Sequence, residues 1–182
     1  MRITVVGRGN VGGSLANVWE SAGHQVTRLG RDGGEVSDAD AVLVAVPGEV
    51  IAEAFDKLRG VEGKTVIDAA NLYGVAPPDG FTSNAEWVRF RTDGPTAKSF
   101  NVNFASLYPR LGDARARPSN LWCGDDEARD VVEQLNRDAG YDPVRTGPIE
   151  NAAAQERLIS VIVAIGEELG PYVYRFAAIG RL

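Results

Sequence analysis

The first twelve residues contain a glycine motif whose spacing suits the binding of a diphosphate. Gly7-Arg8-Gly9-Asn10-Val11-Gly12 follows the apolar run 3–6 and leads into residues with helical spacing from Leu15 to Ala22. In such a motif the first glycine permits a tight turn, Gly9 lets the backbone approach a phosphate, and Gly12 lets the helix pack on the strand. The free amides of the helix start then face the anion. The motif predicts a dinucleotide site, and the alternative is a glycine-rich turn of another α/β protein.

The end of the second predicted strand favours NADP over NAD. This strand, 25–29, is followed by Gly30-Arg31, where an NAD site usually carries an acid that binds the ribose hydroxyls. An arginine there can pair with a ribose 2′-phosphate, which a carboxylate would repel. Arg8 can add a second positive charge near the phosphates. The alternative is that Arg31 is a solvated charge of the turn and that Asp32 binds the ribose.

The sequence has one histidine and three lysines, so it offers few of the usual proton-transfer groups. This favours hydride transfer, because that reaction needs positioning and exclusion of water more than proton transfer. The only histidine, His24, precedes the second strand at the edge opposite the expected ligand crevice, so a structural role is favoured. The last predicted helix has no lysine that could donate a proton, which disfavours a hydroxyacid dehydrogenase. Lys98 and Asn101 lie near a strand end, where they contact the cofactor amide or close a turn. No catalytic residue is assigned.

Two other chemically interesting segments are given structural roles. Cys123 lies in a predicted buried strand, where a free cysteine behaves as a small apolar group. Asp125-Asp126-Glu127 is typical of a first helical turn, where acids interact favourably with the helix dipole, and no further ligand cluster accompanies it. The sequence therefore predicts no metal site.

Composition and charge point to a single soluble domain with small-molecule partners. The chain has 182 residues, 44% of them hydrophobic, and a net charge of −6, which disfavours a nucleic-acid or anionic-membrane surface. No apolar run reaches the roughly 18 residues of a membrane span. The single cysteine permits no intramolecular disulfide, and the chain enters a strand without a leader segment. We expect a cytoplasmic protein.

Alternation of strand and helix patterns predicts an α/β fold with a Rossmann-like doubly wound parallel sheet. The segment between the second strand and the next apolar run, 32–40, is too short for the usual helical crossover. Its roughly 9 residues can still cross beneath the first strand, because they span about 30 Å when extended. The sheet is therefore predicted to be trimmed after the second strand, without the usual third strand and its helix.

The remaining elements complete a dinucleotide-binding domain over 1–150 and a small C-terminal helical extension over 151–182. Further strands are predicted at 41–46, 64–68, 96–100, 120–123 and 143–145, and helices at 50–58, 84–91 and 127–139. Ser83-Asn84-Ala85-Glu86 has the pattern of a capping box that begins a helix. Asp68-Ala69-Ala70-Asn71 stands at the carboxyl end of a strand, where open α/β sheets bind ligands.

The last predicted helix, 152–169, is apolar around most of its circumference, so it must be buried. Three arrangements would bury it. It packs against a second subunit in a homodimer, it roofs the ligand pocket, or it lies inside its own chain.

Several motifs together resemble the coenzyme F-420-dependent NADP oxidoreductase family over nearly the full length. They are the glycine motif, Val46-Pro47, Asp68-Ala69-Ala70-Asn71, Ser83-Asn84-Ala85-Glu86, Lys98-Ser99-Phe100-Asn101, Cys123-Gly124-Asp125-Asp126 and Thr146-Gly147-Pro148-Ile149-Glu150-Asn151. The resemblance implies a Rossmann domain with a small C-terminal extension, often dimeric. It also implies hydride transfer between NADP(H) and the deazaflavin F-420 as second substrate.

The resemblance also implies roles for individual residues. Gly7, Arg8, Gly9, Asn10 and Val11 would hold the pyrophosphate, Arg31 the 2′-phosphate, Val46 and Pro47 the middle of the cofactor, and Asn71 and Asn101 the nicotinamide side. The family usually has Ser or Thr where Gly30 stands, and loss of that hydroxyl should weaken NADP preference by about 1 kcal/mol. No pattern around Arg157 and Ile159 matches a deazaflavin site.

Two other functions remain open at this point. One is a non-catalytic NADP(H)-binding module that senses redox state. The other is an NADPH reductase that acts on a ketone, an imine, a flavin or a ferric complex.

Overall fold

A seven-stranded sheet forms the centre of the molecule in the computed structural model, which describes residues 1–180. The last two residues of the predicted extension 151–182 lie outside this part. The strands of the described part are β1 Arg2–Val6, β2 Gln25–Leu29, β3 Gly34–Glu35, β4 Ala41–Val44, β5 Leu58–Arg59, β6 Thr65–Asp68, β7 Thr96–Ser99, β8 Ser119–Gly124 and β9 Asp142–Arg145. The α-helices are α1 Asn10–Ser21, α2 Ile51–Asp56, α3 Asn84–Thr92, α4 Arg129–Asp138 and α5 Ala152–Leu169.

The sheet confirms the predicted Rossmann-like α/β class. Its order is β2-β1-β4-β6-β7-β8-β9, and the first five strands in that order are mutually parallel. β4 is apolar and fully buried, and β1 after Arg2 and β6 after Thr65 are buried too, as expected for central strands covered on both faces. The chain reverses its direction of growth at β1, which makes the carboxyl ends of β1 and β4 the topological switch point.

The sheet is trimmed after β2, also as predicted. β2 lies at the edge of the sheet, and the segment that follows contributes only the two-residue strand β3. β3 pairs with β5 in a separate two-stranded sheet. Because no further strand flanks β2, the turn after it is exposed at the end of the sheet.

The last two strands depart from the predicted parallel arrangement. β8 runs antiparallel to β7, with Lys98 opposite Cys123, and β9 runs parallel to β8. The segment 100–118 between β7 and β8 forms a 3-10 helix over Ala105–Asp113 instead of the α-helix that a parallel crossover normally uses. Pro109 lies inside this 3-10 helix, which was not predicted from the sequence.

Two predicted elements are shorter than expected. The strand predicted at 41–46 ends at Val44, and the helix predicted at 50–58 divides into a 3-10 turn over Gly48–Val50, the short α2, and β5. Leu58 leaves the helix because its backbone pairs with β3. The predicted capping box is present, since Ser83 Oγ accepts from the Glu86 amide at 3.2 Å.

Helix α5 has the predicted bounds and presents three faces. The inner face packs on the sheet and the segment after β7, and it consists of Ala152, Gln155, Ile159, Ile162 and Gly166. The cavity face consists of Ala153, Glu156, Arg157, Ser160, Val163, Ala164 and Glu167, and Ile159 at the boundary of the inner face also borders the cavity. The outer face carries Val161, Ile165 and Leu169, which are 51%, 39% and 71% exposed. Burial of the whole helix within its own chain is therefore wrong.

No helix among residues 1–180 has both the length and the apolar character needed to cross a membrane.

Candidate functional site

The predicted binding residues lie along one edge of the sheet, in the order of the strands. Gly30 and Arg31 follow β2, the glycine motif follows β1, Val46 and Pro47 follow β4, Asn71 follows β6, and Lys98 and Asn101 lie at the end of β7. Neighbouring strands are about 4.8 Å apart, so this row extends over about 19 Å. The edge is the one at which ligands of open α/β sheets bind.

The glycine motif forms a close-packed turn with an open outer side. Gly7 has a φ of +108°, and its amide donates to the carbonyl of Leu29 at 3.0 Å. A Cβ at Gly7 would overlap the carbonyl oxygen of Ala45, and a Cβ at Gly12 would overlap that of Gly7. At Gly9, by contrast, a Cβ would meet nothing within 4 Å. The turn therefore requires Gly7 and Gly12 for packing, whereas Gly9 borders open space.

That open space adjoins the start of α1. Gly9 is the N-cap residue, no side chain caps the helix, and no acid lies in its first turn. The amides of Asn10 and Val11 therefore begin the helix without a capping side chain or a repelling charge. This is the condition under which a helix start binds a diphosphate, so the residues present fit a dinucleotide.

Two arginines lie at the end of β2. The Arg8 guanidinium donates to the carbonyl of Arg28 at 3.0 Å and lies over Gly30, where a Cβ would be 3.6 Å from its Cζ atom. Arg31 occupies the following turn, which the Gly33 amide closes on the carbonyl of Gly30 at 3.2 Å. Within residues 1–180 the exposed Arg31 forms neither a hydrogen bond nor an ion pair. A Cβ at Gly30 would thus be in ordinary van der Waals contact with Arg8, and the two cations border the open end of the site.

Arg31 also affects a carboxylate on α2. The pKa of Glu53 is lowered, first by its hydrogen bond and ion pair with Lys57 and to a smaller extent by the charge of Arg31. Asp32, the alternative ribose ligand, is exposed in the same turn.

At the other end of the row, three amide side chains form a hydrogen-bonded chain. Asn71 Nδ2 donates to the carbonyl of Asn101 at 2.7 Å, and Asn101 Nδ2 donates to Asn71 Oδ1 at 2.9 Å. Gln155 of α5 donates to Asn101 Oδ1 at 2.9 Å and to the carbonyl of Leu121 at 3.2 Å. The chain links the ends of β6 and β7 to α5 and brings the two predicted asparagines together.

Lys98 lies beneath this chain and is fully buried. Its Nζ donates to Asp68 Oδ2 at 2.9 Å, to Glu156 Oε1 at 2.6 Å and to the carbonyl of Ala70. Burial alone would lower the pKa of Lys98, but the attraction of Asp68 and Glu156 outweighs it, so the group remains protonated. All three N–H donors of the Lys98 ammonium have acceptors within the protein. In this conformation Lys98 therefore positions neighbouring residues and does not contact a ligand.

Next to these residues, a cavity of about 710 Å³ separates α5 from the loop after β6. One wall is the cavity face of α5, and the other consists of Leu72, Tyr73, Gly74, Val75, Pro77 and Thr82. Its size is within the range of small-molecule sites. Arg157 and Ile159 both line it, although the sequence offered no recognisable pattern there.

His24 and Cys123, which were predicted to have structural roles, do not belong to the row of binding residues. His24 contacts Asp138 at 2.9 Å, at the opposite edge of the sheet. Cys123 is buried in β8, and burial raises the pKa of its thiol to about 12, which disfavours the reactive thiolate.

The fold is similar to that of several solved structures. A protein from Arthrobacter sp. FB24, provisionally described as an F420-dependent NADP reductase, is 23% identical over 97% of this chain and 99% of its own, with a TM-score of 0.81. An uncharacterised protein from Sinorhizobium meliloti is 22% identical over 82% and 86%, with a TM-score of 0.64. These likenesses establish the fold.

A larger enzyme also shares the fold. A reductive aminase from Aspergillus terreus, solved with NADPH and ethyl levulinate, is 14% identical and has a TM-score of 0.68. The likeness covers 93% of this chain but 62% of that enzyme. No protein-family model matches the chain, and no curated protein matches it in sequence.

Gln155 and Glu156 were not predicted as site residues. Both were hidden in a helix considered only for its apolar residues and its lack of lysine. A usable signal was present, because Gln155-Glu156 interrupts an apolar face at the start of α5, and a polar pair at such a position needs buried partners.

Alanine substitutions of Gly12 and Gly9 should have different effects, one on the stability of the fold and the other on cofactor binding. Gly12→Ala should lower the free energy of unfolding by about 1 to 3 kcal/mol, because its Cβ overlaps the Gly7 carbonyl. Gly9→Ala should change it by less than about 1 kcal/mol, yet weaken NADPH binding at least about tenfold by projecting into the open space. Urea unfolding and fluorescence titration measure the two effects, and wild-type affinity in Gly9→Ala would contradict the assignment.

Proposed function

We propose that this protein is an NADP(H)-dependent oxidoreductase that transfers a hydride between the nicotinamide and a planar acceptor of the deazaflavin class. The observation that carries the proposal is the row of sites along the sheet edge, which leads from two cations through a glycine turn to a cavity. Residues 1–150 would bind the cofactor, and α5 of the C-terminal extension would roof the acceptor site.

Each part of the row fits one part of the cofactor. Gly7 to Gly12 would hold the pyrophosphate, with hydrogen bonds from the start of α1. Arg31, with Arg8 beside Gly30, would pair with the 2′-phosphate. Val46 and Pro47 would contact the middle of the cofactor, and the Asn71–Asn101 pair would lie at the nicotinamide side. Lys98 would position that pair by holding the backbone after Asp68.

When bound, the reduced nicotinamide supplies the hydride. The chain supplies alignment and exclusion of water, which are the main requirements for hydride transfer between stacked rings. The loop after β6 and the cavity face of α5 enclose the space that adjoins the Asn71 end of the row.

The deazaflavin assignment is supported by a combination of features. The sequence motifs resemble the F-420-dependent family along nearly the full length, and the Arthrobacter protein of matching length carries that description. The cavity walls are mainly apolar and include one aromatic ring, that of Tyr73, with Leu72, Val75 and Pro77 across from Ile159 and Val163, which suits a planar ring system. Arg157 provides a cation in the same wall.

We also propose that a second copy of this chain covers the outer face of α5. Val161, Ile165 and Leu169 follow one another at spacings of four residues and are all exposed. An apolar stripe of this kind on a helix is unfavourable in water and typical of a contact between helices.

Binding of the phosphorylated cofactor should depend on Arg31. Arg31→Ala should weaken NADPH binding by about 1 to 3 kcal/mol, or about 5- to 150-fold in Kd, and leave NADH binding unchanged. Arg115→Ala removes an equal charge from an exposed position in the 114–118 segment and should have no effect. Equal losses for both nucleotides, or none, would favour Asp32 as the ribose ligand.

Turnover should identify the acceptor class. Mixing the protein with NADPH and oxidised F-420 should bleach the deazaflavin absorbance, whereas ketones, imines, flavins and ferric complexes should react slowly. Binding of NADPH without turnover of any acceptor would favour a non-catalytic redox-sensing module.

Light scattering after size exclusion should give twice the chain mass of 19.4 kDa. Val161→Glu combined with Leu169→Glu should reduce the measured mass to that of one chain, because two charges would then face the partner helix. Phe90→Glu, at an exposed position on α3, is the control. A wild-type monomer would refute the dimer.

A further inference from the structure

Glu156 lies at the boundary between the buried charges and the cavity under α5. Its Oε1 accepts from Lys98 at 2.6 Å, and its side chain is 8% exposed. It also lines the cavity, together with Arg157 and Glu167 of the same helix. Among the described residues, Glu156 is the acid that contacts both the Lys98 ammonium and the space assigned to the acceptor.

The charges around Glu156 favour a proton on its carboxyl group. Two carboxyl groups, Asp68 and Glu156, share the single Lys98 ammonium in a buried setting. Asp68 is fully buried and also accepts from the Ala70 amide at 2.8 Å, so its acceptor role is fixed and it has no access to the cavity. A second full negative charge beside it would be costly, because one cation cannot compensate two buried anions.

The surroundings act on the pKa of Glu156 in both directions. Burial raises it, Lys98 lowers it, Asp68 raises it, and Arg157 lowers it slightly, so that the net pKa lies above the ordinary value. Tyr73 and Glu167 are the other titratable groups that line the cavity. A carboxylic acid with a raised pKa in a site of this kind is suited to general acid catalysis.

We propose that Glu156 is a catalytic residue that donates the proton when the acceptor in the cavity is reduced. The acceptor then belongs to the class that gains a hydride and a proton together at a conjugated C=N or C=O group. This inference rests on the proposed hydride-transfer function. A ferric complex, which takes up single electrons, would need no such donor.

The acceptor carbon gains the hydride with its electron pair, and negative charge develops on the conjugated nitrogen or oxygen. The O–H bond of Glu156 breaks, and its proton bonds to that atom. Glu156 is left as a carboxylate that the adjacent Lys98 stabilises, and water entering from the open side of the cavity returns the proton.

The kinetic test compares Glu156→Gln with Glu167→Gln. Both remove an acid from the same cavity face, but only Glu156 contacts Lys98. Glu156→Gln should lower kcat for acceptor reduction by about 10²- to 10⁴-fold, with NADPH affinity unchanged. Wild-type kcat should be highest at low pH, where the acid is protonated, and should fall as pH rises through its pKa. Glu156→Gln should abolish this decline and Glu167→Gln should retain it.

A second measurement on the free protein needs no turnover. Infrared spectroscopy should detect a protonated carboxyl that persists well above pH 4.3, the ordinary glutamate pKa. Glu156→Gln should remove this band and Glu167→Gln should keep it. If Glu156→Gln does not fold, Glu156→Asp should retain the falling pH profile with a reduced rate.

The outcomes distinguish the two proposals. A wild-type protein that turns over no acceptor contradicts the proposed function. Wild-type turnover combined with a fully ionised Glu156 at neutral pH, or with a Glu156→Gln variant of unchanged rate or unchanged pH profile, overturns the proton-donor role alone.

Discussion

Close contact between backbone segments around the first turn determines where everything else in the site can lie. Gly12 packs on the carbonyl of Gly7, and Gly7 packs on that of Ala45, so β1, α1 and the end of β4 approach one another without intervening side chains. This contact fixes the direction of α1 and leaves its first amides exposed at the switch point of the sheet. A side chain at either glycine would separate these elements.

The opposite end of the site depends on polar contacts buried between the sheet and α5. Lys98 joins β6, β7 and α5 through Asp68 and Glu156, and Gln155 repeats the connection through Asn101. Such contacts have strict geometric requirements, because each buried donor or acceptor that loses its partner costs about 1 to 3 kcal/mol. They therefore fix the position of α5, and with it the width of the cavity, more specifically than apolar packing alone would.

Local sequence patterns predicted much of the fold and of the cofactor end of the site. The features that were not predicted depend on residues far apart in the sequence. The glycine spacing, the apolar runs of β1 and β4, and the bounds of α5 all follow from short-range periodicity, and the short segment 32–40 predicted the missing third strand. The antiparallel direction of β8 did not follow, because an apolar run does not specify its direction. The pairing of Lys98 with Glu156, 58 residues away, was also invisible, so the sequence left Lys98 as either a contact of the cofactor amide or a residue that closes a turn.

Because no strand extends the central sheet beyond β2, the Arg31 end of the site is exposed to bulk solvent. Charges in that setting act over a distance set by dissolved ions, about 8 Å at physiological ionic strength. Under the proposed function, the attraction of Arg8 and Arg31 for a phosphate should therefore decline as salt is added, whereas short hydrogen bonds from the glycine turn to a diphosphate would be screened much less. Discrimination between the two nicotinamide nucleotides would then depend on the surrounding electrolyte as well as on the protein.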